Sequence, residues 1–148
     1  MKFMEWSNAL SVHDAEIDRE HRDILELINT LFVDVRTAKP PQTIERHLTA
    51  LGSALATHFA HEEGLMKAAS YGRLEEYQRL HSSLTRRNED FLTRYRVGEA
   101  AMTINHVMFL KAWLSTHIQE SDNCFAGVLK ARQIPAAGGM RAGFDTLR

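Results

Sequence analysis

The sequence predicts an all-α chain, an antiparallel up-down-up-down four-helix bundle with an extended N-terminal arm. Three observations predict it. Apolar residues recur at three-and-four spacing through four long stretches. No stretch shows the period-two alternation of a half-buried strand. Short segments containing Pro or Gly separate the stretches, and long helices joined by short turns run antiparallel to their sequence neighbours.

Composition sets the class. The chain has 148 residues, enough for one domain with a real core. Its 44% hydrophobic and 25% charged fractions are those of a globular protein. A net charge of -1 excludes general nucleic-acid affinity, which needs a basic surface. A single cysteine, Cys124, excludes an intramolecular disulfide and fits a reducing compartment. Met1 to Trp6 lacks an apolar run of signal-peptide length, and no stretch is apolar enough to span a bilayer. The expected location is the cytoplasm, away from membranes.

Residues 1–17 hold Phe3, Trp6, Leu10, Val12 and Ile17 without a sustained helical stripe, and are expected to form the arm. The first helix is expected over 18–37, with Ile17, His21, Ile24, Ile28, Leu31 and Val35 on one stripe. Pro40 and Pro41 end it and open the next, expected over 43–67. That second helix turns Ile44, Leu48, Leu51 and Leu55 inward, and His58 and Glu62 continue the same stripe. Residues 69–73, with Gly72, form a turn. The third helix, 74–96, carries Leu74, Tyr77, His81, Leu84, Asn88, Phe91 and Tyr95 on one face. Gly98 marks the next turn. The fourth, 99–132, turns Val107, Leu110, Leu114, His117 and Cys124 inward. Pro135 and the glycines 138, 139 and 143 predict a loose tail over 133–148, leaving 1–132 as the domain.

His58 and Glu62 lie four apart and therefore share a helix face with the apolar stripe. A carboxylate buried without a partner is too costly to keep. A metal ion is the partner that suits a neutral imidazole and a carboxylate together. Antiparallel topology brings further groups to the same end: His21 near the start of the first helix, Tyr77 and His81 near the start of the third, His117 and Asp122 near the end of the fourth. Four histidines, two carboxylates and Tyr77 can thus meet in one core layer, enough for two metal ions bridged by carboxylates. His47 and His106 fall at the opposite end, and His13 lies on the arm. His61 is offset from His58 around the helix, and is expected either beside the ligands or at the surface, or as a replacement ligand if Tyr77 does not bind.

Other metal motifs fail on spacing. His61-Glu62 could open HExxH, but position 65 is Leu. The ferritin-like di-iron pattern Glu-x-x-His is absent, since no histidine has a glutamate three residues before it.

The segments Ile17-Asp18-x-x-His21, His58-Phe59-x-x-Glu62-Glu63-x-x-Met66, Tyr71, His81 and Trp113-Leu114-x-x-His117-Ile118-x3-Asp122 make the chain resemble the bacterial hemerythrins, as do Trp6-Ser7 and Ile28-Asn29-x-Leu31. The resemblance covers roughly residues 3 to 130. It implies a non-haem site of two iron ions, oxo- or hydroxo-bridged, that binds dioxygen reversibly. It implies His21 and His58 on one iron, His81 and His117 on the other, and Glu62 and Asp122 between them. It further implies that Trp113 and Leu114 wall the oxygen pocket. The family has one more ligand histidine, four residues before the position of His81; here that position is Tyr77.

Three functions follow: a dioxygen-binding protein for storage, delivery or scavenging; a di-iron redox enzyme acting on peroxide or another oxidant, with Tyr77 as ligand; or an oxygen or redox sensor. The expected partner is dioxygen or a related diatomic or peroxide ligand. One geometric conflict remains. His117 and Asp122 are five apart, about 140° around a regular helix. A local π-like widening between them is therefore expected, turning Asp122 inward.

Overall fold

A computed structural model describes the backbone of residues 2–133 and the side chains of residues 2–120. Four α-helices follow a short arm: α1 (Ala15–Arg36), α2 (Pro41–Ala68), α3 (Leu74–Arg96) and α4 (Ile104–Gln133). The arm contains one 3-10 turn, Asn8–Leu10. No strand occurs among the described residues.

The helix starts have local causes. The Asp14 carboxylate accepts from the Ile17 amide, so α1 begins before the expected Asp18. Pro41 stands in the first turn of α2, where its missing N–H costs nothing. The Thr103 hydroxyl accepts from the His106 amide at 3.2 Å, so α4 begins at Ile104, five residues later than the expected Glu99. At the α2–α3 turn the left-handed residue is Ser70, not Gly72, whereas Gly98 does take a left-handed φ of 81° after α3.

α1 packs on α2 and α4, and α2 also packs on α3. α3 meets α4 through large side chains: Phe91 stacks on His106 at 4.1 Å and the Arg87 guanidinium lies 4.7 Å over Phe109. The main core joins Ile24, Leu25, Ile28 and Leu31 of α1 to Leu48, Leu51 and Leu55 of α2, Leu84 of α3, and Val107, Leu110 and Leu114 of α4. A smaller cluster of Val12, Ile17, Met66 and Tyr77 closes the end of the bundle nearest the α2–α3 turn.

Two polar residues fasten the arm. Asn29 both accepts from the Met4 amide (2.8 Å) and donates to the Met4 carbonyl (2.9 Å). Asp18 accepts from the Ser11 hydroxyl (2.6 Å) and the Val12 amide (2.8 Å). Each is a buried polar group with its hydrogen bonds made, which is the condition for keeping it there. These bonds explain why Asp18 and Asn29 stand inside otherwise apolar stretches.

α4 is α-helical without a π turn from Ile104 to Gln133. The expected π-like widening between His117 and Asp122 is therefore absent from the backbone. The side chains of Asp122 and Cys124 lie outside the described residues, as do residues 134–148 of the expected tail.

Candidate metal centre

Antiparallel packing brings the start of α1, the end of α2, the start of α3 and the later part of α4 to one end. His21 and His58 are fully buried there, and Glu62, His81 and His117 are nearly so. One ligand atom from each of His21, His58, Glu62 and His117 lies within 4.8 Å of all the others. Glu62 is the hub. One of its oxygens lies 3.0 Å from His58 Nε2, 3.2 Å from His117 Nε2 and 3.6 Å from His21 Nε2. Its other oxygen lies 3.3 Å from His81 Nε2.

The donor set fits a cation. His58 Nε2 and His117 Nε2 face each other at 3.1 Å, so at most one proton can sit between two lone pairs. Both ring nitrogens of His21 and Nε2 of His81 make no hydrogen bond among the described residues. Buried nitrogens left in this way cost free energy, and an ion in the layer would recover it for the two Nε2 atoms turned toward Glu62. Neutral imidazole with carboxylate is a ligand mixture suited to iron.

The far nitrogens have partners outside the layer. His58 Nδ1 donates to Glu20 at 2.7 Å, and His81 Nδ1 donates to Glu63 at 2.7 Å. A carboxylate behind an imidazole fixes the tautomer and turns Nε2 toward the core. Neither carboxylate was picked out as functional in the sequence. The available signal was adjacency: Glu20 precedes His21, and Glu63 follows Glu62, so each sits one step off the ligand face.

Without metal the charges are strongly perturbed. Burial works against a charge on His58, but its bonds to Glu20 and Glu62 outweigh burial and push it up to about 9. Burial pulls His21 below its ordinary value. Burial would raise the Glu62 carboxyl, yet the neighbouring His117, His21 and His58 hold it well below the usual range.

Aromatic rings wall the layer. Phe59 stacks on His81 at 4.0 Å and Trp113 stacks on His117 at 5.0 Å. Leu114, expected at the pocket, is fully buried in the main core. Tyr77 is buried one turn before His81, with ring centroids 6.3 Å apart, and packs in the smaller cluster with Val12, Ile17 and Met66. His61 lies beside the layer and points to Glu20, not into it. His47 pairs with Asp34 at the opposite end, His106 stacks on Phe91, and His13 is exposed on the arm.

A helical bundle with a histidine-rich cation cluster buried at one end is the class that fold and site define. The profile of the hemerythrin HHE cation binding domain matches residues 12–129, and the chain belongs to that family. It is 29% identical over 131 residues to the bacteriohemerythrin of Stenotrophomonas maltophilia, covering 88% of this chain and 84% of that protein. It is 32% identical over 124 residues to one of the hemerythrin chains of Sipunculus nudus, covering 84% of this chain and 92% of that one. Among solved structures, a hemerythrin mutant superposes with a TM-score of 0.82 at 25% identity, covering 87% of this chain and 98% of that one. No described helix is long and apolar enough to cross a membrane.

Proposed function

We propose that the protein binds dioxygen at a non-haem di-iron centre in the bundle core, for storage, delivery or scavenging. The observation that carries this reading is the convergence of His21, His58, Glu62 and His117 on one point, with His81 on the other oxygen of Glu62. In this reading His21 and His58 would hold one iron, His81 and His117 the other, and Glu62 and Asp122 would be the carboxylates shared between them. A ferrous pair held there would supply the electrons that dioxygen takes up on binding and gives back on release.

The chain's own residues do the rest. Glu62 keeps its charge and ties all four helices to one point. Phe59, packed against the His81 and His117 rings, keeps bulk water from that side of the layer, which strengthens every charge interaction inside it. Trp113 and Phe59 hold the His117 and His81 rings in plane. A cytoplasmic location is the reading supported by the single cysteine, which fits a reducing compartment.

A second reading, a di-iron enzyme turning over peroxide or another oxidant, is favoured by Tyr77. Its buried position one turn before His81 suits a phenolate ligand on the iron held by His81 and His117. A phenolate is a hard anion that favours ferric iron, so the ferrous pair would oxidise readily and hold dioxygen poorly.

Anaerobic reduction followed by air exposure separates the readings. A visible band that appears with air and vanishes on removing it supports reversible binding. Irreversible oxidation with peroxide consumption supports the enzyme. Tyr77→Phe should bleach a tyrosine-to-iron charge-transfer colour if Tyr77 is a ligand, and an unchanged ferric spectrum would leave it a bystander.

A further inference from the structure

One carboxylate at the rim of the centre serves two histidines. Glu20 lies on α1, one residue before His21, and is about one-sixth exposed. One of its oxygens accepts from His58 Nδ1 at 2.7 Å, and the other accepts from His61 Nδ1 at 2.8 Å. His61 is 26% exposed, and its Nε2 lies 3.5 Å from the Glu16 carboxylate, which faces solvent. A continuous line of polar contacts thus runs from solvent through Glu16, His61 and Glu20 to His58, which is fully buried.

We propose that His61 and Glu20 form one positioning unit for His58, and that His61 sets how strongly the Glu20 charge bears on the metal centre. The inference rests on the di-iron reading of the site. Three observations carry it. Glu20 could rotate about its own χ angles if only His58 held it, and the His61 bond to its second oxygen removes that freedom. The two bonds use both oxygens, so charge drawn toward His61 is charge not directed at His58. The other carboxylate of this kind, Glu63, bonds His81, and no second histidine is bonded to it among the described residues. The His58 side therefore carries an adjustable partner that the His81 side does not show.

The electrostatic signs follow. A carboxylate behind an imidazole makes it a stronger donor and stabilises the higher oxidation state of the metal it binds. Neutralising Glu20 should therefore raise the potential of the centre. Removing His61 takes away a hydrogen-bond donor from the carboxylate and should lower it. A residue that merely supported the fold would have no reason to give opposite signs.

The test uses the full chain as wild type, Glu20→Gln, His61→Ala and the double variant, with Zn2+ affinity and the midpoint potential of the iron-loaded protein as readouts. Glu20→Gln should weaken Zn2+ binding about 10- to 100-fold and raise the potential. His61→Ala, which leaves the second Glu20 oxygen without that donor, should weaken Zn2+ less and lower the potential. In the double variant the His61 effects should vanish, because the residue through which they act is gone. Equal Zn2+ affinities across the series, or a His61 effect undiminished without Glu20, would overturn the proposal. A wild type that takes up Zn2+ but no iron would overturn the di-iron reading instead, and the Zn2+ series would then decide the positioning unit on its own.

Discussion

The two ends of the bundle each carry histidines and carboxylates, and they differ in how those groups are matched. At the end away from the metal site, His47 Nδ1 meets Asp34 in a one-to-one pair, and the half-exposed ring leaves its other side to solvent. At the other end, four imidazoles crowd one buried carboxylate in a layer walled by Phe59 and Trp113. The first arrangement is complete as it stands. The second leaves His21 Nε2 and His81 Nε2, both turned toward Glu62, without hydrogen bonds among the described residues, and a cation in the layer would answer both. Histidine count says little about metal binding; the number of lone pairs aimed at one dry point says much.

The comparison breaks most visibly on metal content. Glu62→Ala or His58→Ala should abolish iron uptake, read by metal analysis, while His47→Ala should leave it unchanged. Full occupancy in Glu62→Ala would remove Glu62 from the bridging role.

Leu114→Ala probes the apolar core three residues before His117. Leu114 is fully buried, and truncation of such a residue costs about 2–5 kcal/mol. Urea unfolding of the metal-free chain should show that loss. A loss under about 1 kcal/mol would mean that the layer collapses freely around the gap.

The proton on His58 gives a pH dependence. Its metal-free value is raised from 6.5 to about 9, so the raised value stabilises the metal-free fold fully below 6.5. That contribution is lost as pH rises through about 9. Iron must displace the same proton, so uptake should strengthen over the same window. The stability difference between metal-free wild type and His58→Gln, followed across this range, checks the first statement, and iron affinity against pH checks the second. Flat profiles would contradict both.

The smallest effect expected is local. Asp14→Ala removes the α1 cap next to the metal end and should cost about 1 kcal/mol. Iron content should not change, because Asp14 reaches no group of the layer. A drop in iron would show that fraying at the start of α1 reaches His21.

Most of this was legible in the sequence because it depends on helical periodicity and chain direction. The stripe Ile44-Leu48-Leu51-Leu55-His58-Glu62 gave the inward face of α2, and antiparallel order then placed His21, His81 and His117 at the same end. α4 was begun too early because its true start is set by the Thr103 hydroxyl, a single hydrogen bond against which Gly98 was the louder signal. The π-like widening near His117 came from applying ideal-helix angles to a pair five residues apart, and the backbone stays regular there. The roles of Glu20 and Glu63 were not legible, although Glu63 stands in the family motif, because each acts across a helix interface, on His58 and His81, and no spacing within one helix reports such a contact. Asp18 and Asn29 fitted the family motif, yet what they do is fasten the arm.

Anomalous diffraction at the iron edge from the iron-loaded protein tests the central claim most directly. The account predicts two iron peaks in the layer, one within bonding reach of His21 and His58, the other of His81 and His117, with Glu62 between them. A single peak enclosed by His21, His58, Glu62 and His117, with His81 left uncoordinated, would contradict it.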